Sequence, residues 1–404
     1  MKKKKLLVIS PFCPYESVRH AGGKIHFHYL KKLDNIFDLT VITLALLEEK
    51  SGIESSNLKA DLHVKYKDDL HGISKWLVKI ENLLSGKNPF DYYGGFIEYY
   101  QLRYLWKAIR RLYHQGYRAD CVILDWTQAI FLSKKIRRLF PSIDIICVEQ
   151  DVTYLKYWRI ASGAKSKIKH LIHQYRYKVL KKRELTALSY ASEIICLNEK
   201  DKKLLIQDMS CKISVRVVSP YYDSYKSVRW NNSNRDIIFF GAMARSENYE
   251  SAIWFIKYVL PLVSDKIDRF IIIGNNPHPE LLKYASDKVL ITGFVEDITP
   301  YLSNSLCFSA PLVMGAGIKI KILEAMSSGI PVITNKLGIE GIDAVCGKDY
   351  LLCDTAESYR DAIVKIIDNP DYAFEIGKNG KLFIESNFNF VNDSYINLET
   401  INES

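Results

Sequence analysis

Gly315-Ala316-Gly317-Ile318-Lys319-Ile320-Lys321-Ile322-Leu323-Glu324-Ala325-Met326-Ser327-Ser328-Gly329-Ile330-Pro331 reads as a glycine turn, a helix and a glycine that stops it. Glycines just ahead of a helix let a ligand approach backbone N–H groups that have no partner within the helix, and the positive end of the helix dipole favours phosphate there. Lys319 and Lys321 add full charges beside that terminus. Lys321 and Glu324 are three residues apart and share a helix face, so one surface offers a cation for phosphate and a carboxylate able to accept from ribose or sugar hydroxyls. Gly317, Ile318, Lys319, Lys321 and Glu324 are therefore candidate ligand contacts. The plainer alternative is a tight turn at Gly315 and Gly317 followed by a solvated Lys321–Glu324 pair.

On both sides of this stretch, short apolar runs alternate with longer amphipathic ones, the pattern of a parallel sheet covered by helices on both faces. Asp236 to Phe240, Phe270 to Ile273, Val289 to Thr292, Leu306 to Ser309 and Pro331 to Thr334 predict strands in one set. Leu6 to Ile9, Leu39 to Leu44, Cys121 to Leu124, Ile143 to Val148 and Glu193 to Leu197 predict an earlier set. A chain of 404 residues exceeds what one core normally organises. The expectation is an α/β protein of two doubly wound, Rossmann-like domains, residues 1–222 and 236–385. Turn chemistry around Pro220 and Asn231-Asn232-Ser233-Asn234 places a linker at 223–235, and a C-terminal helix over 386–404 is expected to pack back on the first domain.

Hydrophobic residues make up 48% and charged residues 25%, enough for two cores and too apolar for disorder. The 56 Lys and Arg outnumber the 46 Asp and Glu, giving +10, which suits phosphate-bearing ligands, nucleic acid or an anionic membrane without choosing among them. The charge is dispersed and no nucleic-acid reader motif appears, so nucleic acid is not the expected partner. The eight cysteines are scattered without Cys-x-x-Cys spacing, which reads as reduced thiols of a cytoplasmic protein. The apolar run after Lys2 to Lys5 is too short for a signal peptide and reads as a first strand.

The spacing Gly-x-Gly-Ile-Lys-x-Lys-x-Leu-Glu-Ala-Met-x-x-Gly-x-Pro-Val-Ile resembles the donor-site signature of the group 1 glycosyltransferases, also called family 4, in the branch with Gly-Ala-Gly and basic residues in the helix. Asp236 to Asn248, Val289 to Val295 and Leu337 to Gly341 are similar to further segments of that family, so the likeness is strong from Asp236 to Phe390 and weak before it. It implies the GT-B fold, two domains facing across a cleft, and a nucleotide-diphosphate sugar as substrate, with no cofactor and no metal. It further implies that Gly293, Phe294 and Val295 pass near the base and that Glu324 binds the ribose. Arg245, Lys319 and Lys321 would stabilise the leaving diphosphate. Two features depart from the family: Ala316 stands where a glutamate is frequent, and no lysine follows Arg245 at the usual spacing.

In the first half, Gly22 and Gly23 open a helix and resemble the family's glycine pair facing the diphosphate. His26 and His28 are two apart and point to different faces, so a shared metal is not expected and ordinary partly buried histidines are. Asp125 and Glu149-Gln150-Asp151 follow strands, at the ends where ligands bind in such sheets. Asp151 is a candidate for orienting the acceptor hydroxyl or acting as base, with a helix N-cap as the equal alternative. Lys165 to Arg183 is a basic helix suited either to an anionic membrane or simply to solvent, and aromatic-rich Trp76 to Trp106 could receive a lipid tail or sugar ring or pack internally.

The expected function is transfer of a hexose-type sugar from a nucleotide-diphosphate donor to a glycan or lipid-linked acceptor hydroxyl, with retention implied by the resemblance alone. It would serve surface polysaccharide or glycolipid assembly at the cytoplasmic face of a membrane. A sugar-nucleotide epimerase of the same fold and a non-catalytic sugar-nucleotide or glycolipid binding protein are the alternatives.

Overall fold

The structure, a computed structural model, describes residues 3–18, 20–69, 72–81, 88–164, 166–209, 212–315 and 317–396. The chain divides into two units: residues 1–219 with 392–404, and residues 220–391.

The first unit is built on a seven-stranded parallel sheet in the order β3-β2-β1-β4-β5-β6-β7. Its strands are β1 (Lys5–Ser10), β2 (Asp38–Ala45), β3 (Asp61–Tyr66), β4 (Cys121–Asp125), β5 (Asp144–Glu149), β6 (Glu193–Cys196) and β7 (Ser214–Val217). The central strands are continuous runs of buried residues, as a sheet covered on both faces requires. Five of the seven were expected from their apolar runs. The other two, β3 and β7, are sheet edges with half-buried residues, and that partial burial is why polar residues interrupt them. The strand order reverses between β1 and β4, which makes their carboxyl ends the place where such a sheet binds ligands.

The second unit has a six-stranded parallel sheet in the order β10-β9-β8-β11-β12-β13. These strands are β8 (Ile237–Phe240), β9 (Phe270–Ile273), β10 (Val289–Gly293), β11 (Cys307–Ala310), β12 (Val332–Thr334) and the two-residue edge β13 (Leu351–Leu352). Here the order reverses between β8 and β11. The stretch that began the reading follows β11 and forms the helix Ile320–Ser328, stopped by Gly329 in the left-handed region (φ 84°). Ile322, Leu323, Ala325 and Met326 are buried on its inner side, leaving Lys321 and Glu324 on the other.

Residues 220–235 contain neither helix nor strand, and Trp230 pins them to the second unit through Nε1 donating to the Ser305 carbonyl at 2.7 Å. The helix expected over 386–404 is not formed over the described part of that range. Helix Pro370–Asn387 ends at its start, and residues 388–396 follow as turns and bends. This tail is held by discrete hydrogen bonds. Asp393 accepts from the Ser219 N–H at 2.7 Å, and Arg216 donates to the carbonyls of Ser394 and Tyr395 at 2.8 and 3.0 Å. Tyr395 is fully buried and stacks on Tyr29 at 4.6 Å.

Candidate active site

In the second unit the carboxyl ends of three neighbouring strands finish in glycine. Gly241 follows β8, Gly274 follows β9 and Gly293 ends β10. A Cβ on Gly274 would fall 1.7 Å from the Gly241 carbonyl oxygen, so these two strand ends touch in a way that excludes any side chain. A Cβ on Gly241 would stand 2.9 Å from Lys321 Nζ and 3.0 Å from Asn248 Nδ2. The missing side chain at Gly241 is therefore what admits the Lys321 ammonium to the strand end. Gly293 (φ 72°) faces open space, followed by Phe294, 68% exposed, and the partly buried Val295.

Lys321 reaches from the outer side of its helix to the end of β8 and donates from Nζ to Asn248 Oδ1. Asn248 is itself buried and donates from Nδ2 to the Ala242 carbonyl at 2.9 Å, so its orientation is fixed. The ammonium also lies 4.9 Å from the centre of the Phe239 ring. Burial pushes the Lys321 pKa down to about 7; Glu247 and Glu324 act to raise it, and Lys319 and Arg245 to lower it further. A diphosphate arriving here would restore the charge that burial disfavours.

Lys319 behaves differently. Its ammonium stands 3.5 Å from Glu340 Oε2, both side chains being about nine-tenths buried, and also donates to the Gly317 carbonyl. This ion pair braces the glycine turn, and Gly317 at φ 65° supplies the left-handed bend. Ile318 packs its side chain against the core. Arg245 precedes helix Ser246–Trp254, is half-exposed, and has Nη1 3.5 Å from Glu247. Glu324 is partly buried, and Tyr225 lies within its electrostatic reach: burial first, then Glu324, Asp223 and Asp297, push the Tyr225 hydroxyl pKa up. The structure thus brings Lys319, Lys321, Glu324 and Arg245 to one end of the sheet. Ala316 lies outside the described residues.

Asn248, Gly274, Glu340 and Tyr225 were not singled out as site residues from the sequence. Gly274 carried a signal, since Gly274-Asn275-Asn276-Pro277 is turn chemistry directly after a strand. Asn248 closed a family-like segment, but nothing in the sequence paired it with Lys321, 73 residues away.

In the first unit, Asp125 at the end of β4 is fully buried. Its Oδ2 lies 2.5 Å from Nδ1 of His26, also fully buried, and its Oδ1 accepts from Gln150 Nε2 at 2.8 Å and from the Trp126 N–H at 3.0 Å. Gln150 Nε2 is also 3.4 Å from the Tyr395 hydroxyl. The partial burial expected of His26 is corrected: it is a core residue answered by a carboxylate, on a strand that the sequence alone could not bring opposite. Trp126 adopts φ 68°, uncommon for a residue with a side chain, and its ring covers Gly22, where a Cβ would meet it at 2.9 Å. At Gly23 a Cβ would meet Val18 at 2.5 Å, and the Gly23 N–H already donates to Nδ1 of His20, which caps the helix. Both glycines thus have a packing reason, and a ligand at this terminus would compete with an imidazole.

Glu149 at the end of β5 is buried and accepts from the Thr127 hydroxyl at 3.0 Å. Burial pushes its pKa up to about 8, with the Thr127 bond opposing and Asp201, Asp151 and Asp125 adding to the rise. Glu184, on helix Lys167–Leu188, is likewise pushed well above the carboxylate range by burial and then by Glu149. Asp151 is exposed, and the residue preceding helix Tyr154–Ser162 is Thr153, so Asp151 is not its N-cap. Among the described residues, no helix is long and apolar enough to cross a membrane.

Two sheets of this kind, with cations gathered at the carboxyl-end switch point of the second, define a doubly wound α/β class whose ligands bind at such strand ends. Residues 234–369 match the family model described as glycosyl transferases group 1, so the chain carries a group 1 glycosyltransferase domain and the protein is a glycosyltransferase. It is 22% identical, over 95% of this chain and 96% of the other, to an uncharacterized 44.6 kDa protein in the cps region of Klebsiella pneumoniae. It is 23% identical to the UDP-Gal:alpha-D-GlcNAc-diphosphoundecaprenol alpha-1,3-galactosyltransferase of Escherichia coli, over 55% of this chain and 65% of that one. In fold it is similar to the sucrose-phosphate synthase of Thermosynechococcus elongatus, at a TM-score of 0.68 and 16% identity with 96% of each chain covered. The fold is that of the GT-B glycosyltransferases.

Proposed function

We propose that the second unit binds a uridine-diphosphate hexose and that the protein transfers the hexose, with retention, to a hydroxyl of a lipid-linked glycan. The observation that carries the donor half is the Lys321–Asn248 pair beneath Gly241: a partly buried, oriented cation of depressed pKa at the point where such a sheet binds ligands. Lys321 and Arg245 take the diphosphate in place of a divalent metal, and charge building on the leaving oxygen is stabilised by the same groups. Lys319, committed to Glu340, holds the turn so that Gly317 presents its backbone. Glu324 accepts the ribose hydroxyls, Phe294 lies by the base next to Gly293 and Val295, and Asp151 is the acceptor-side carboxylate. The uridine and the lipid-linked acceptor are taken from the Escherichia coli relative, whose name specifies both a UDP-sugar and a diphosphoundecaprenol acceptor. Such an acceptor places the work at the cytoplasmic face of a membrane in surface polysaccharide assembly.

The test is titration of UDP and UDP-hexoses into wild type, Lys321→Ala and Glu324→Ala, with turnover followed as UDP release. Loss of binding in both variants is expected. Unchanged binding and turnover would overturn the donor site.

A further inference from the structure

Helix Lys167–Leu188 changes character along its length. Its C-terminal half is rooted in the first unit by buried Leu180, Glu184, Ala187 and Leu188. Its N-terminal half turns apolar residues to solvent: Ile168 is 71% exposed, Leu171 63% and Tyr175 42%. Positions 168, 171 and 175 are spaced by three and four, so they form one stripe along one helix face. More apolar exposure lies close by. Trp158 and Ile160 are exposed on helix Tyr154–Ser162, against which this helix packs through His170 Nδ1 at 2.7 Å from the Ala161 carbonyl and through Tyr157 stacked on His173. The exposed Phe90 lies 5.4 Å from the Tyr175 ring.

A stripe of this size on a soluble face calls for something to cover it, and the surrounding charge says what. From Val152 to Arg183 there is no Asp or Glu, while Lys156, Arg159, Lys165, Lys167, Lys169, Arg176, Lys178, Lys181, Lys182 and Arg183 all fall in that interval. Three of these are used internally, Lys181 against Asp208 at 2.7 Å, Arg176 on the Gly94 carbonyl at 2.6 Å and Arg183 on the Tyr92 carbonyl at 3.3 Å. Lys167, Lys169 and Lys178 are exposed on the same half of the helix as the stripe. Exposed Trp, Leu and Ile beside exposed Lys, in a stretch of chain free of Asp and Glu, match the boundary between lipid headgroups and acyl chains.

We propose that the stripe Ile168, Leu171 and Tyr175, with Trp158, inserts into the interface of an anionic lipid bilayer, and that Lys167, Lys169 and Lys178 hold it to the headgroups. This extends the reading of a lipid-linked acceptor and fails separately from it. The surface is narrower than the whole basic run, because the C-terminal half of the helix is packed into the first unit through Leu180, Glu184, Ala187 and Leu188.

The experiment is co-sedimentation of the full chain with vesicles of phosphatidylglycerol mixed with phosphatidylcholine, against vesicles of phosphatidylcholine alone. The wild type is expected to bind the mixed vesicles, less so as salt rises, with a blue shift of tryptophan emission that Trp158→Phe removes. Ile168→Ser with Leu171→Ser is expected to weaken binding by roughly ten- to a hundredfold, from the apolar area withdrawn. Lys167→Glu with Lys169→Glu should abolish the preference for phosphatidylglycerol. All these positions are exposed, so an unchanged thermal melt and retained UDP binding confirm that the variants fold. Binding that ignores lipid charge, or that neither pair alters, overturns the proposal. So does self-association of the wild type that Ile168→Ser with Leu171→Ser abolishes, since the stripe would then be a protein interface. Vesicle binding that persists in a protein unable to bind UDP would count against the donor reading alone.

Discussion

Lys321 and Asn248 form a pair in which the amide, itself pinned to the Ala242 carbonyl, fixes where the ammonium points. A lysine with its pKa held near 7 by burial gives up its proton in the physiological range unless a ligand stabilises it. UDP binding should therefore take up a proton above pH 7, and affinity should fall by up to about tenfold per pH unit between pH 7 and 9. Calorimetric titration in two buffers of different ionisation enthalpy reads the proton directly. Lys321→Met removes both effects. In the unliganded protein the sign is opposite: an unfolded lysine keeps its proton to about pH 10.4, so stability rises with pH above 7 and Lys321→Met flattens that rise.

Asn248→Ala leaves the ammonium without its acceptor. The expected cost is about 1–3 kcal/mol in a urea melt, with weaker UDP binding, while Asn248→Asp should raise the lysine pKa and shift the affinity profile to higher pH.

Gly274→Ala puts a methyl group into the Gly241 carbonyl, 1.7 Å away. One strand end must move, at a cost of roughly 1–3 kcal/mol or more, and because Gly241 abuts Lys321 the donor site moves with it. Chemical denaturation and UDP titration should both change. Stability lost with affinity intact would show that the strand ends relax away from the site.

In the first unit, Asp125→Ala would strand His26 and Gln150 in the core. Removing one partner of a buried pair costs about 3–5 kcal/mol, visible as a lowered melting temperature. Donor binding by the second unit should persist wherever the protein remains folded.

Glu149 supplies a pH signature of its own. Its folded pKa of about 8 lies above the ordinary carboxylate value, so the folded state holds a proton that the unfolded chain has lost. Its contribution is present below about pH 4 and is lost as pH rises to 8. Glu149→Gln should be the more stable protein at pH 8 and lose that advantage near pH 5, a difference read by paired urea melts across the range.

The parallel sheets were legible in the sequence because buried central strands are unbroken apolar runs, as in Leu6 to Ile9 and Ile237 to Phe240. The edges β3 and β13 were not, one being half-buried and polar and the other two residues long. Lys321 and Glu324 could be paired by spacing because a helix makes three-apart residues neighbours. The partners that decide what Lys321 and Lys319 do, Asn248 and Glu340, come from other crossovers, and no local period reports them. His26 and Asp125 stand apart in sequence for the same reason. The tail from Asp393 to Tyr395 has neither alternation nor helical period, because single hydrogen bonds and one stacked ring hold it.

That tail bears on how the chain is made. Residues 392–396 finish a unit whose other members precede Ser219, while residues 220–391 are contiguous. On the ribosome the unit begun first is thus completed last: the second sheet can close as soon as it emerges, whereas Tyr29 and Arg216 must wait for Tyr395. A chain stalled after residue 391 would carry a finished second sheet while the core of the first unit stayed unsealed.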